Sequence, residues 1–183
     1  PAQGANVALK AFNYIGGTMA DLPSSGGGSV SYVALRLRRL DTQDYWNVGG
    51  SWQPGIPTIA SPGQIDVFTS SWAMIAALPS GGNLPGGTSY YLTTSGRDNV
   101  DDATKNQETW GVSASTFVYE TSAPVTAVVL PVHAAIRSAL SQITGTMADE
   151  PTNSSPNRAS AGIQGTEITI QRTTDAQYYD GSA

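Results

Sequence analysis

The residues best suited to chemistry in this chain are four carboxylates, Asp21, Asp98, Asp101 and Asp102, and two tryptophans, Trp46 and Trp52. Clustered carboxylates with nearby loop carbonyls supply the roughly six to eight oxygens that a calcium ion takes, which makes the four aspartates candidate calcium ligands. Their spacing is not that of an EF-hand loop. The competing and commoner reading is that each is a solvated turn residue bonded to its own backbone. Tryptophan faces stack on sugar rings, so Trp46 and Trp52 are candidate glycan contacts. More often such residues, here with Trp72 and Trp110, plug a core or cover its edge. His133 is the single histidine, and no Gly-x-Ser-x-Gly elbow provides it with a nucleophile, so it reads as an ordinary strand-end residue and no catalytic residue is expected.

Composition narrows the classes further. The chain has 183 residues, net charge −5, and only 13% charged residues against 20 Gly and 11 Pro. A negative balance argues against nucleic acid as a partner, because phosphates need a basic patch. The one basic run, Arg36, Arg38 and Arg39, alternates with Leu35 and Leu37 and reads as the solvated side of a strand. The absence of cysteine removes disulfides, zinc-thiolate sites and thiol catalysis together. No apolar run is long enough to span a membrane. The beginning of the sequence does not read as a secretion signal, so an exported protein would carry its signal outside this window.

The elements that must position these residues are organised by an internal repeat. Ile15-Gly16-Gly17-Thr18-Met19-Ala20-Asp21 returns as Ile143-Thr144-Gly145-Thr146-Met147-Ala148-Asp149, identical at six of seven positions with a constant offset of 128. Further on, Val30, Leu35, Leu37, Arg39 and Tyr45 find Ile163, Ile168, Ile170, Arg172 and Tyr178 at an offset of 133. The added residues fit the polar, Pro/Ser-rich stretch after Glu150, where a surface loop tolerates insertion. The period of about 130 residues predicts one complete domain, 1–123, followed by the opening part of a second, 124–183.

Within the first unit, Val33, Leu35 and Leu37 alternate with Ala34, Arg36 and Arg38 as a half-buried strand. Tyr45 to Trp52 predicts a short aromatic hairpin with Gly49-Gly50 in the bend. Ile65 to Leu78 supplies one or two strands, with strand preferred to helix over Ser71–Leu78. Tyr90 lies on a strand that Leu84-Pro85-Gly86-Gly87 opens, and Trp110 to Tyr119 forms the last. About seven short strands separated by strong turns predict an all-β antiparallel sandwich.

The order of motifs then carries a resemblance. The heptamer is followed by Tyr45-Trp46-Asn47, a Trp72 strand, Leu84-Pro85-Gly86-Gly87-Thr88-Ser89-Tyr90, the loop Arg97-Asp98-Asn99-Val100-Asp101, and Thr116-Phe117 to Pro124. This resembles the tandem bacterial Ig-like repeats, fibronectin/Ig-type β-sandwiches, of very large secreted and surface-anchored proteins. The resemblance implies an extracellular or cell-surface module of a stalk, filament or adhesin, non-enzymatic, whose partners are neighbouring repeats or other copies in a filament or surface layer. It also implies that the loops holding Asp21 and Asp98 to Asp102 emerge at one end of the sandwich, where calcium would stiffen the junction between units. Tyr90 becomes the candidate corner tyrosine, its hydroxyl bonded to upstream backbone. The alternative reading is a carbohydrate-binding module of a secreted enzyme.

Overall fold

Alternating apolar residues make a strand only where another layer covers one face, and here two sheets cover each other. The computed structural model describes residues 7–9, 12–21, 29–61, 63–76, 78–99, 106–149 and 162–179. The first unit contains β1 (Val7–Leu9), β2 (Gly16–Thr18), β3 (Val30–Arg39), β4 (Tyr45–Asn47) and β5 (Ser51–Gln53). It continues with β6 (Ile59–Ala60), β7 (Ile65–Val67), β8 (Ser71–Met74), β9 (Thr88–Asp98) and β10 (Ser113–Tyr119). One sheet runs β1-β10-β9-β3-β4-β5, with β6 also on β3, and the other runs β2-β8-β7. All pairings are antiparallel except β1 with β10, which is parallel.

Strand β3 is central because both its sides are bonded. Leu37 faces Leu92 of β9, while Leu35 faces Ile59 of β6 and Arg38 faces Tyr45 of β4. The larger sheet sends Val33, Leu35, Leu37, Tyr90, Leu92 and Phe117 into the core, and the smaller sends Ile65, Trp72 and Met74. Two sheets sharing one core make a β-sandwich-like, all-β architecture. Each such side chain, fully buried, contributes about 1.5–3 kcal/mol. An aromatic stack runs through the middle: Phe12 on Phe117 at 5.0 Å, Phe117 on Tyr90 at 5.4 Å, and Tyr90 against Trp52 at 5.6 Å.

The arginines of β3 are half-buried on aromatic rings. Arg36 lies 3.8 Å over Trp110 and Arg38 lies 5.6 Å over Tyr45, while Arg97 of β9 covers Tyr32 at 4.3 Å. The basic run is therefore a ladder of cation–π contacts along the strands.

Arg39, 5.6 Å over Trp52, also reaches Asp41. Its Nε donates to Oδ1 at 3.0 Å and one terminal nitrogen donates to Oδ2 at 2.6 Å, a two-pronged fork. Burial alone would raise the Asp41 carboxyl; the Arg39 hydrogen bond and the Thr42 N–H outweigh it and hold the group below its ordinary value. A carboxyl depressed on folding adds stability above its unfolded pKa, and that stability is lost as pH falls through the folded value. Asp41→Asn is expected to cost about 1 kcal/mol at pH 7, discounted for partial exposure. Urea titrations should show the gap between wild type and variant close as pH drops below about 4.

The second unit, within Pro124–Asp149 and Gly162–Ala183, holds β11 (Val125–Leu130) and β12 (Thr144–Ala148) as an antiparallel ribbon. None of its described residues is buried. One turn appears in both units. Arg39 N–H donates to Asp44 O at 2.8 Å and Arg172 N–H to Gln177 O at 2.8 Å. Arg38 pairs with Tyr45, and Gln171 with Tyr178. Gln43 and Ala176 both take positive φ, 68° and 58°. Among the described residues no helix is long and apolar enough to cross a membrane.

Candidate functional site

A concavity of the first unit lies where β2 meets the end of β9 and the start of β10. It is an open cleft of about 760 Å³. Val33, Leu92 and Trp72 line it together with three carboxylates, Asp21, Asp98 and Glu108. Two of the four predicted calcium ligands, Asp21 and Asp98, thus line one cleft. The other two, Asp101 and Asp102, lie outside the described residues.

Local hydrogen bonds hold two of these carboxylates, Asp98 and Glu108. Asp98 is buried at the end of β9, and its Oδ2 accepts from Asn106 Nδ2 at 2.7 Å. Ser31 Oγ donates to the Asp98 carbonyl at 3.0 Å. Glu108 accepts the Gly96 N–H at Oε2, 3.2 Å, and the Ser113 hydroxyl at Oε1. The Glu108 carbonyl accepts from Ser95 Oγ at 2.7 Å. These bonds tie the two sides of the loop between β9 and β10 together at its base. A calcium ion needs many free oxygens, and among the described residues no three acidic, histidine or cysteine side chains stand close enough to hold a metal. The described carboxylates do not by themselves form a ligand set.

No family model, no curated protein and no solved structure matches this chain. The geometry of its own residues is what a functional reading rests on.

The predicted glycan contacts separate. Trp46 is 1% exposed and packs edge-on against Trp52 at 5.2 Å, so its ring is core and has no face to offer a sugar. Trp52 is half-buried; its Nε1 donates to the Asn83 carbonyl at 2.7 Å and its ring meets Arg39 at 5.6 Å. The hairpin brings the two tryptophans together because Trp46 and Trp52 are direct cross-strand partners. Contact within the pair serves packing.

Tyr90 departs from the corner geometry. It is fully buried, and its hydroxyl meets no hydrogen-bond partner; nor does the Thr88 hydroxyl two residues before it. Burial pushes the Tyr90 phenol well above its ordinary pKa; nearby Arg39 favours the ionised form to a lesser degree, and so does the Thr88 hydroxyl, which lies close by without hydrogen-bond geometry. Just upstream, the Gly87 N–H donates to the Tyr119 carbonyl at 2.7 Å.

Asn106, Glu108 and Ser113 were not among the residues singled out from the sequence. Their signal is positional. They flank a polar loop at the distances where side chains can close its base, and only the register of β9 on β10 shows which partners they meet.

Proposed function

We propose that this chain is a non-enzymatic, structural segment of Ig-like β-sandwich units in tandem, part of an extracellular bacterial stalk, filament or adhesin. The observation that carries the reading is strand order. β2-β8-β7 has the order of the B, E and D strands of an Ig-like sandwich. β10-β9-β3 has that of G, F and C, with β4 and β5 extending the sheet as in variable-type domains. The tandem character is supported by the turn that the two units share, with the same backbone bond and the same positive-φ position. The burial of Trp46 favours this reading over a sugar-binding module.

The mechanism would be mechanical. Each unit resists load through strands zipped side by side in its own sheets, and the connection Glu120–Pro124 is short and Pro-ended. Glu120 stiffens its start, with Oε1 accepting the Ser122 N–H at 2.6 Å. Single-molecule stretching of concatenated copies is expected to give repeated unfolding peaks, each releasing about 400 Å of chain from a unit the size of residues 1–123. A glycan array should remain blank. Smooth extension without peaks, or selective sugar binding, would overturn the proposal.

A further inference from the structure

We propose that the outer face of the larger sheet of the first unit, centred on Arg36 and Arg38, is a binding surface for an extended acidic peptide that carries Asp or Glu at alternate positions.

Strand geometry places the two cations side by side. Leu35 and Leu37 point into the core, so Arg36 and Arg38 stand on the opposite face of β3. Register supplies their neighbours. Arg38 lies between Tyr45 of β4 and Tyr91 of β9, and Arg36 faces Thr93. The Arg36 guanidinium stacks on Trp110, from the turn before β10, at 3.8 Å, and that of Arg38 lies 5.6 Å over Tyr45. Further along the same face, Arg97 stacks on its register partner Tyr32 at 4.3 Å.

What these cations lack is an anion. The ion pairs among the described residues join Arg39 to Asp41 and Arg172 to Asp175, and none involves Arg36, Arg38 or Arg97. Asp41 and Glu108, in nearby turns, are engaged elsewhere: Asp41 with Arg39, and Glu108 with the Gly96 N–H and the Ser113 hydroxyl. In each of the three stacked arginines Nε is buried without a hydrogen-bond partner, whereas no terminal nitrogen is sealed in this way. Arg38 donates through one terminal nitrogen to Gln43 Oε1. Each guanidinium is thus partly desolvated and held by its ring, which removes much of the ordering cost that a free arginine incurs on binding. The terminal N–H groups match a carboxylate in a charge-assisted bond.

Spacing names the partner. Positions two apart on a strand repeat at roughly 6.6–6.8 Å, and alternate side chains of an extended peptide have the same repeat. Two carboxylates so spaced meet the two arginines in step, while carboxylates three apart point to opposite sides of the peptide. A dense polyphosphate is disfavoured, because the chain carries a net charge of −5 and repels it as a whole. Tyr45, Tyr91 and Trp110 border the pair and offer ring surface to the peptide's remaining side chains.

Fluorescence anisotropy of labelled peptides with the full chain tests this. A peptide of alternating Glu and Thr is expected to bind, and to be released in about 1 M salt, where screening acts beyond about 3 Å. Its Gln counterpart should not bind, and a peptide with Glu at every third position should bind about tenfold more weakly. R36Q and R38Q should each weaken the alternating peptide about tenfold, whereas R137Q, which removes an exposed charge elsewhere, should not. Trp110 supplies a second readout that needs no arginine variant. A carboxylate bound to Arg36 should change the native tryptophan emission, and W110F should abolish that change. Absence of binding, equal binding by the every-third peptide or by R36Q and R38Q, an emission change that survives W110F, or tighter binding of polyphosphate would each overturn the proposal. Unfolding peaks in the stretching experiment bear on none of these outcomes, so failure here is separable from failure of the stalk reading.

Discussion

Phe117→Ala is expected to be among the most damaging single substitutions in this protein, costing about 3–5 kcal/mol. Phe117 is fully buried on β10, with Phe12 stacked on one side at 5.0 Å and Tyr90 on the other at 5.4 Å. Truncation removes the transfer energy of the ring and leaves a cavity between two large aromatics that cannot both shift into it. A domain of ordinary stability holds only about 5–15 kcal/mol, so the loss approaches the whole. The melting temperature of the first unit should fall by roughly 10–20 °C. Val112→Ala, one residue before the same strand and 70% exposed, serves as control and should stay within about 0.5 kcal/mol of wild type. Equal shifts for the two variants would mean that the stack is not the centre of the core.

The difference between Phe117 and Val112 also marks what the sequence could and could not tell. Period-two alternation picked out β3 correctly because Val33, Leu35 and Leu37 face one core. The hairpin of Tyr45 to Trp52 was legible from Gly49-Gly50, and Gly50 indeed takes a positive φ of 92°. The same alternation carried the last strand back to Trp110, yet β10 begins at Ser113. A turn intervenes, in which Gly111 has φ of 91° and donates its N–H to Thr93 Oγ1 at 3.0 Å. The parallel pairing of β1 with β10 could not be foreseen, since parallel pairing leaves no local turn to announce it. Likewise Ser71–Met74 is strand, bounded by its partners β2 and β7, where propensity left a helix open.

At the cleft the sequence named Asp21 and Asp98 for their chemistry, and both line it. What it could not supply was the competition for their oxygens. Asp98 spends one oxygen on Asn106, and Glu108 spends both of its own on the backbone and Ser113. Satisfaction of a carboxylate depends on residues brought in by strand register, and register is a property of the fold. The tryptophans show the same limit. Their type suited a sugar, but cross-strand pairing at Trp46 and Trp52 decided that one ring lies inside.

The second large effect is a pH dependence that a single atom should remove. Tyr90 is fully buried with its hydroxyl unpartnered, and burial raises its phenol above the ordinary value of about 10. The neutral form is therefore the one that the fold favours. As pH rises past about 10, the unfolded chain releases this proton while the folded chain keeps it. Stability is fully present below that pH and declines above it, by up to about 1.4 kcal/mol per pH unit. Tyr90→Phe lacks the titrating group, so its stability should exceed that of wild type by about 2 kcal/mol near pH 11.5. At pH 7 the same variant deletes a buried hydroxyl that bonds to nothing, and it should be neutral or slightly stabilising. A corner tyrosine bonded to upstream backbone would behave in the opposite way at pH 7, losing about 1 kcal/mol. Chemical denaturation of both proteins at pH 7 and pH 11 decides between the two geometries. A destabilised variant at pH 7, with no relative gain at pH 11, would return the hydroxyl to the backbone.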